Sequence, residues 1–273
     1  MMSGTKITKE TIVVSNVEIY CEHVLNGKPP IFLIHGFLSS TYTFNKVIPL
    51  LAENFSVVAI DLPGFGRSEK ADSFHYSFTS FAQLVVGCME YFGIEKATLV
   101  GHSMGGQVAL NVARMTPERV NKLVLLCSSG YMKRANKLLV YSTYFPFFNL
   151  FAYRYVNRKG VRETLKNVLY DHSLITDEMI SEFKRPLSEK PFYKSLIRLV
   201  RHREGDLSSA ELSSINTPAL LIWGEEDRVV PVNVGRKLVK DLPNAKLITY
   251  KEAGHLITEE RPQEVYSQIL SFV

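Results

Sequence analysis

Three continuous apolar runs rich in β-branched residues punctuate the first half of the chain: Pro30 to His35, Phe55 to Asp61 and Ala97 to Gly101. Short runs without polar alternation, each closed by Gly or Asp, predict strands buried on both faces, as in a parallel sheet. Between the last two, Phe78, Phe81, Leu84, Val85, Cys88, Met89 and Phe92 recur at helical spacing and form one apolar stripe to lay on that sheet. Met104, Val108, Ala109 and Val112 trace a second helix after Gly101, which stops at Thr116-Pro117 because the residue before proline avoids helical angles. Val120 to Cys127 is the next strand. Pro49 falls where a helix is due between the first two strands, so that helix kinks or restarts with Pro49 near a first turn. Ahead of these elements, alternating Thr11 to Val14 and Val17 to Tyr20 around Ser15-Asn16 predict an antiparallel hairpin at a sheet edge.

The alternation resumes late, with strands at Ala219 to Trp223 and Lys246 to Tyr250 and helices at Val234 to Leu242 and Pro262 to Phe272, the last with proline at its first position. Residues 131–210 hold helix-like, aromatic-dense sequence with no convincing strand. The expected fold class is therefore α/β: a mostly parallel central sheet flanked by helices, built from 1–130 and 211–273, with 131–210 inserted as a helical cap. At 273 residues, 46% hydrophobic and 22% charged, the chain can bury a large core and is neither disordered nor low in complexity. No apolar run approaches the ~18 residues of a membrane span. Met1 to Glu10 lacks the apolar centre of a signal peptide, and three cysteines, Cys21, Cys88 and Cys127, cannot all pair internally, so a cytosolic, reduced protein is expected.

The net charge of +5 is unevenly placed, because residues 131–210 alone carry +7. A solvated helical surface accounts for such a bias; attraction of an anionic substrate or transient contact with an anionic membrane surface is the alternative. Nucleic-acid binding is not expected, since no recognition motif accompanies the charge.

Candidate chemistry lies outside the insert. Gly101-His102-Ser103-Met104-Gly105-Gly106 sits between an apolar strand and an amphipathic helix, the context of a nucleophile elbow. Glycines on either side of Ser103 relieve a sharp, strained turn and hold the hydroxyl at a helix N-terminus. A serine needs a base, and the base an orienting acid. His255 follows the last predicted strand in Ala253-Gly254-His255, and Asp227 follows the preceding one in Trp223-Gly224-Glu225-Glu226-Asp227, with Glu225 and Glu226 as rivals for the acid. His35-Gly36-Phe37 follows the first parallel strand, where the Phe37 amide would join that of Met104 as an oxyanion donor; Gly36 permits close approach and His35 is structural. Asp61-Leu62-Pro63-Gly64-Phe65-Gly66 matches neither a phosphate loop nor a dinucleotide fingerprint and is assigned to the pocket rim. His23, His35, His75, His172 and His202 show no metal-ligand spacing, so neither metal nor cofactor is expected.

H-G-F, D-L-P-G-F-G-x-S, G-H-S-M-G-G, W-G-E-x-D-x-V-x-P and A-G-H occur in this order, and the chain thereby resembles the α/β-hydrolase superfamily over all but the cap. Its esterase and C-C bond hydrolase branches are the nearest. The resemblance implies Ser103, Asp227 and His255 as nucleophile, acid and base, with Phe37 and Met104 as oxyanion donors. Serine at 103 argues against the branches that use aspartate there.

Nine Tyr and Phe fall within residues 131–155. They either dock the cap or line an apolar pocket over Ser103, for which Phe147, Phe148 and Phe151, with Gly36, Val229 and Leu256 beside the chemistry, are the candidate lining. The expected activity is serine hydrolysis of a small or medium carboxylic ester. Its alternatives are C-C bond cleavage of a vinylogous diketone held by cap arginines such as Arg154, Arg158 or Arg162, or a binding or signalling protein with vestigial turnover. The oligomeric state is left open.

Overall fold

The computed structural model describes residues 6–158 and 160–273, so part of the polar N-terminal stretch lies outside the described residues. Eight strands form one sheet: β1 (Thr8–Val14), β2 (Val17–Val24), β3 (Pro30–Ile34), β4 (Ser56–Ile60), β5 (Ala97–His102), β6 (Val120–Leu126), β7 (Ala219–Gly224) and β8 (Ala245–Tyr250). Their order across the sheet is β1-β2-β4-β3-β5-β6-β7-β8. β1 and β2 are antiparallel to their neighbours and β3 to β8 run parallel. The apolar runs became central strands because helices cover both faces: every residue of β4, β5 and β7 is buried. Ser15 and Asn16 take positive φ (52° and 61°) at the tip of the hairpin, the conformation that matches strand twist.

The chain leaves β3 in one direction to β4 and crosses to its other side for β5. The carboxyl ends of β3 and β5 therefore flank a topological switch point, where open parallel sheets form their crevice. The loops bearing Phe37 and Ser103 start there; those bearing Asp227 and His255 follow β7 and β8 at the same end. Helices Phe78–Tyr91 and Met104–Met115 pack together against the sheet, and helix Val232–Asp241 lies on β7 and β8. Around Pro49 the expected helix is broken into a 3-10 turn, Thr41–Phe44, and a single turn, Ile48–Leu51, with Pro49 in its first turn.

Between β6 and β7 the described residues form helices and turns only, including Lys137–Ser142, Phe148–Asn157, Val161–Val168, Asp177–Lys184 and Lys190–His202. This segment docks through Phe192 and Leu196 on the main core, and through Leu165, Leu169 and Met179 in a smaller apolar cluster that also takes in Leu256.

Candidate active site

Ser103 has φ 53° and ψ −120°, between β5 and the first residue of helix Met104–Met115. Such a conformation costs a β-substituted residue about 1–3 kcal/mol and persists only where neighbours enforce it. Here the Ser103 amide donates to Leu126 O (3.0 Å) and its carbonyl accepts from the amides of Gly106 and Ser129 (both 3.0 Å). The flanking glycines are sterically required: a Cβ on Gly101 would lie 2.4 Å from Gly105 O, and one on Gly105 would lie 2.1 Å from Ile34 O. Gly36 faces the same point, with an added Cβ 2.8 Å from that of Ser103.

His255 Nδ1 and Asp227 Oδ2 are 2.7 Å apart and both side chains are buried. The amides of Val229 and Val230 donate to Asp227 Oδ1 (2.8 Å each), which fixes the carboxylate and leaves Oδ2 for the imidazole. The rival acids are engaged elsewhere: Glu225 accepts from Thr249 Oγ1 and Glu226 from the Ala253 amide. With Nδ1 donating to Asp227, Nε2 of His255 is the free basic nitrogen. The ring of His102, which directly precedes Ser103, lies 4.8 Å from that of His255. Among the described residues no hydrogen bond joins the Ser103 hydroxyl to His255, a separation that often closes only when substrate binds.

The amides of Phe37 and Met104 donate to no protein acceptor among the described residues, as an oxyanion site requires. Met104 is buried, whereas the Phe37 side chain stands half-exposed at the rim, edge-on to Phe65. Behind them His35 Nε2 accepts from the Leu62 amide (2.9 Å) and Nδ1 bonds to Gly36 O (2.7 Å), so this histidine holds the loops and burial pushes its pKa down. Asp61 is likewise internal, accepting from the amides of Thr41 and Arg67 (2.6 Å each) and thereby shaping the glycine-rich rim.

Three neighbours carry no signal at the level of motif. His102 Nε2 bonds to His255 O (2.9 Å), while its Nδ1 is buried without a partner. Burial, with the nearby His255, pushes the His102 pKa down to about 3. Glu260 receives the amides of Gly254 (2.6 Å), Tyr170 (2.7 Å) and Asp171 (2.9 Å), and the His255 amide donates to Val168 O (2.7 Å), so the histidine loop is laced to the insert. Cys127 completes, with Asp227 and His255, a trio of ligand-type atoms all within 4.8 Å of one another. Both Asp227 oxygens are already hydrogen-bonded, and burial raises the Cys127 thiol well above the usual range.

His102 makes a pH prediction. Its folded pKa lies below its unfolded value, so the folded state gains from a neutral imidazole above about pH 6.5, and this gain is lost as pH falls towards the folded value at roughly 1.4 kcal/mol per unit. The difference in urea stability between wild type and His102→Gln should shrink by about that slope between pH 7.5 and 5. A difference that stays constant over this range contradicts the buried-neutral assignment.

The proposed pocket lining is only partly gathered. Val229 is partly exposed beside Asp227, and Leu256 is buried in the cluster with Leu165, Leu169 and Met179. Phe147, Phe148 and Phe151 divide between two sides of one helix. Helix Phe148–Asn157 uses Phe148, Ala152 and Val156 as its inner side, which turns Phe147 and Phe151 outward, 83% and 58% exposed. A cleft of about 600 Å³ lies at the seam of insert and histidine loop, lined by Tyr170, His172, Glu252, Glu260 and Arg261. Of the cap arginines, Arg154 and Arg158 are exposed and Arg162 pairs with Asp177 (3.3 Å).

Comparison with known proteins agrees with this architecture. The family described as alpha/beta hydrolase fold matches residues 29–262. An uncharacterized hydrolase of Bacillus subtilis (strain 168), YugF, is 46% identical over 95% of this chain and 96% of its own. A 2-hydroxy-6-oxo-6-phenylhexa-2,4-dienoate hydrolase of Burkholderia cepacia is 32% identical over 88% of this chain and 86% of its own. The solved meta-cleavage product hydrolase of Pseudomonas fluorescens IP01 superposes with a TM-score of 0.80 at 26% identity, covering 96% of each chain.

Proposed function

The chain belongs to the α/β-hydrolase fold family, and on that premise we propose that it is a serine hydrolase cleaving small or medium carboxylic esters through an acyl-enzyme. The observation that carries this reading is the 2.7 Å contact of His255 with Asp227 at the strand ends beside the strained Ser103. Ser103 Oγ attacks the ester carbonyl and passes its proton to His255 Nε2, while Asp227 stabilises the imidazolium. The amides of Phe37 and Met104 receive the charge that develops on the carbonyl oxygen. Collapse expels the alcohol, which takes the proton from His255. Water, deprotonated by the same nitrogen, then releases the acid and restores Ser103. A panel of p-nitrophenyl esters of increasing acyl length, with fluorophosphonate labelling mapped by mass spectrometry, tests this: turnover with labelling at Ser103 is expected. A protein that hydrolyses no ester and takes no label refutes it.

C-C bond cleavage of a vinylogous diketone is the second reading. It is supported by the names of the 2-hydroxy-6-oxo-6-phenylhexa-2,4-dienoate and meta-cleavage product hydrolases, and by one residue here. Arg185 Nη1 bonds to Gly66 O (3.2 Å) on the rim loop that carries Phe65, while its Nη2 is buried without a partner. The same guanidinium lies 3.6 Å from a Glu182 oxygen and 3.9 Å from a Glu189 oxygen, so a substrate carboxylate would join this cluster through the unmade Nη2 donor. On this reading Arg185→Gln raises KM for a carboxylate-bearing diketone by about tenfold or more and leaves neutral esters unaffected. Equal losses on both substrate types rule it out.

A further inference from the structure

Residues 131–162 contain seven Lys and Arg, nine Tyr and Phe, and no Asp or Glu. The structure turns much of this aromatic content outward. Helix Phe148–Asn157 is fastened on one side, where Asn157 Nδ2 donates to Tyr193 Oη (2.8 Å) and the rings of Tyr153 and Tyr193 meet at 5.2 Å. Its opposite stripe, Phe147, Phe151 and Tyr155, faces solvent, and the turn before it presents Phe145, 71% exposed. Leu138 and Leu150 are also exposed. Lys137, Arg154 and Arg158 project from the same two helices, and among the described residues none has an acidic partner within 4.0 Å. The cations deeper in the insert are used differently: Arg198 pairs with Asp72 and Arg203 with Asp206.

We propose that the two-helix segment spanning residues 137–158 is a docking surface for an anionic phospholipid bilayer, lying in the headgroup plane. Aromatic side chains settle at this depth, and each unpaired Lys or Arg near an anionic surface contributes about fivefold to binding. Charge selects this occupant over a second copy of the chain. A symmetric contact would press two cationic faces together, and residues 131–162 supply no carboxylate to neutralise them. No described helix is long and apolar enough to cross a membrane, so the association is peripheral. It does not depend on which bond the enzyme cleaves.

Flotation of the full-length protein with vesicles of phosphatidylcholine, alone or mixed with phosphatidylglycerol, tests the proposal. The protein should float with the anionic vesicles about tenfold or more better than with the zwitterionic ones, and high salt should weaken this binding. Phe145→Ser, Leu150→Ser and Tyr155→Ser combined should weaken it by about tenfold or more with an unchanged thermal midpoint. Arg154→Gln with Arg158→Gln, on exposed positions with no ion pair to lose, should weaken it similarly and provides a reading independent of the serine set. Wild-type protein that stays with neither vesicle, or binds both equally, overturns the proposal. So does a stable dimer that the serine set dissolves, or retention by single-stranded DNA in place of anionic vesicles.

Discussion

Ser103→Ala is expected to lower ester turnover by about 10⁴-fold or more and to abolish fluorophosphonate labelling, with the fold intact. Alanine keeps the Cβ and removes only Oγ, so the enforced turn around residue 103 loses no backbone hydrogen bond. Asp227→Asn should cost about as much for a different reason. The amides of Val229 and Val230 still find an acceptor in Oδ1, but an amide nitrogen facing His255 reverses the tautomer and places the proton on Nε2, where the base is needed. The two variants should not be additive, since each removes the same attack step. Steady-state kinetics with a short-chain p-nitrophenyl ester provides the check. Ser103→Ala with residual turnover close to wild type removes serine catalysis from consideration.

Gly105→Ala is expected to prevent folding or to cost about 4 kcal/mol or more, although it adds a single methyl group to a helix. The new Cβ would sit 2.1 Å from Ile34 O and 2.6 Å from His35 O, backbone atoms of a central strand that cannot rotate aside. If the protein folds at all, the helix must back away from β3, carrying Ser103 off the switch point, and activity falls with stability. Gly27→Ala is the control: its φ is +75° but nothing lies within 4 Å of the added methyl, so only the left-handed penalty of about 1–2 kcal/mol applies. Urea melts of the two variants should therefore differ by several kcal/mol. Equal midpoints would show that the β3–helix contact is not tight.

The sheet was readable from the chain because its strands are buried on both sides, and a run such as Ile31 to Ile34 then has no polar position to confuse its period. β1 was read three residues short, since Thr8, Lys9 and Glu10 lie on an outer strand where polar residues are allowed. The elbow was legible because its glycines and serine are contiguous. Glu260 was not: it reaches Tyr170 and Asp171 across 90 and 89 positions, and it ends a single-turn helix, Ile257–Glu260, too short to show a period. His102 carries no signal of its own, because the elbow pattern leaves its position open to any residue. The cap aromatics were visible as composition, but composition does not say which side of a helix meets the rest of the protein, and here Phe148, Ala152 and Val156 took the inner side.

The lacing of the histidine loop to the insert bears on how such a protein can be recombined. Because the His255 amide ends on Val168 O and Glu260 clasps Tyr170 and Asp171, residues 168–171 belong functionally with the second half of the core although they are encoded far from it. A chimera that exchanges the whole of 131–210 with a relative must rebuild those bonds from the incoming backbone, whereas one that exchanges only 137–158 leaves them whole. Segments of this chain are thus transplantable according to their hydrogen bonds to the base, not according to where the strands of the sheet stop and resume.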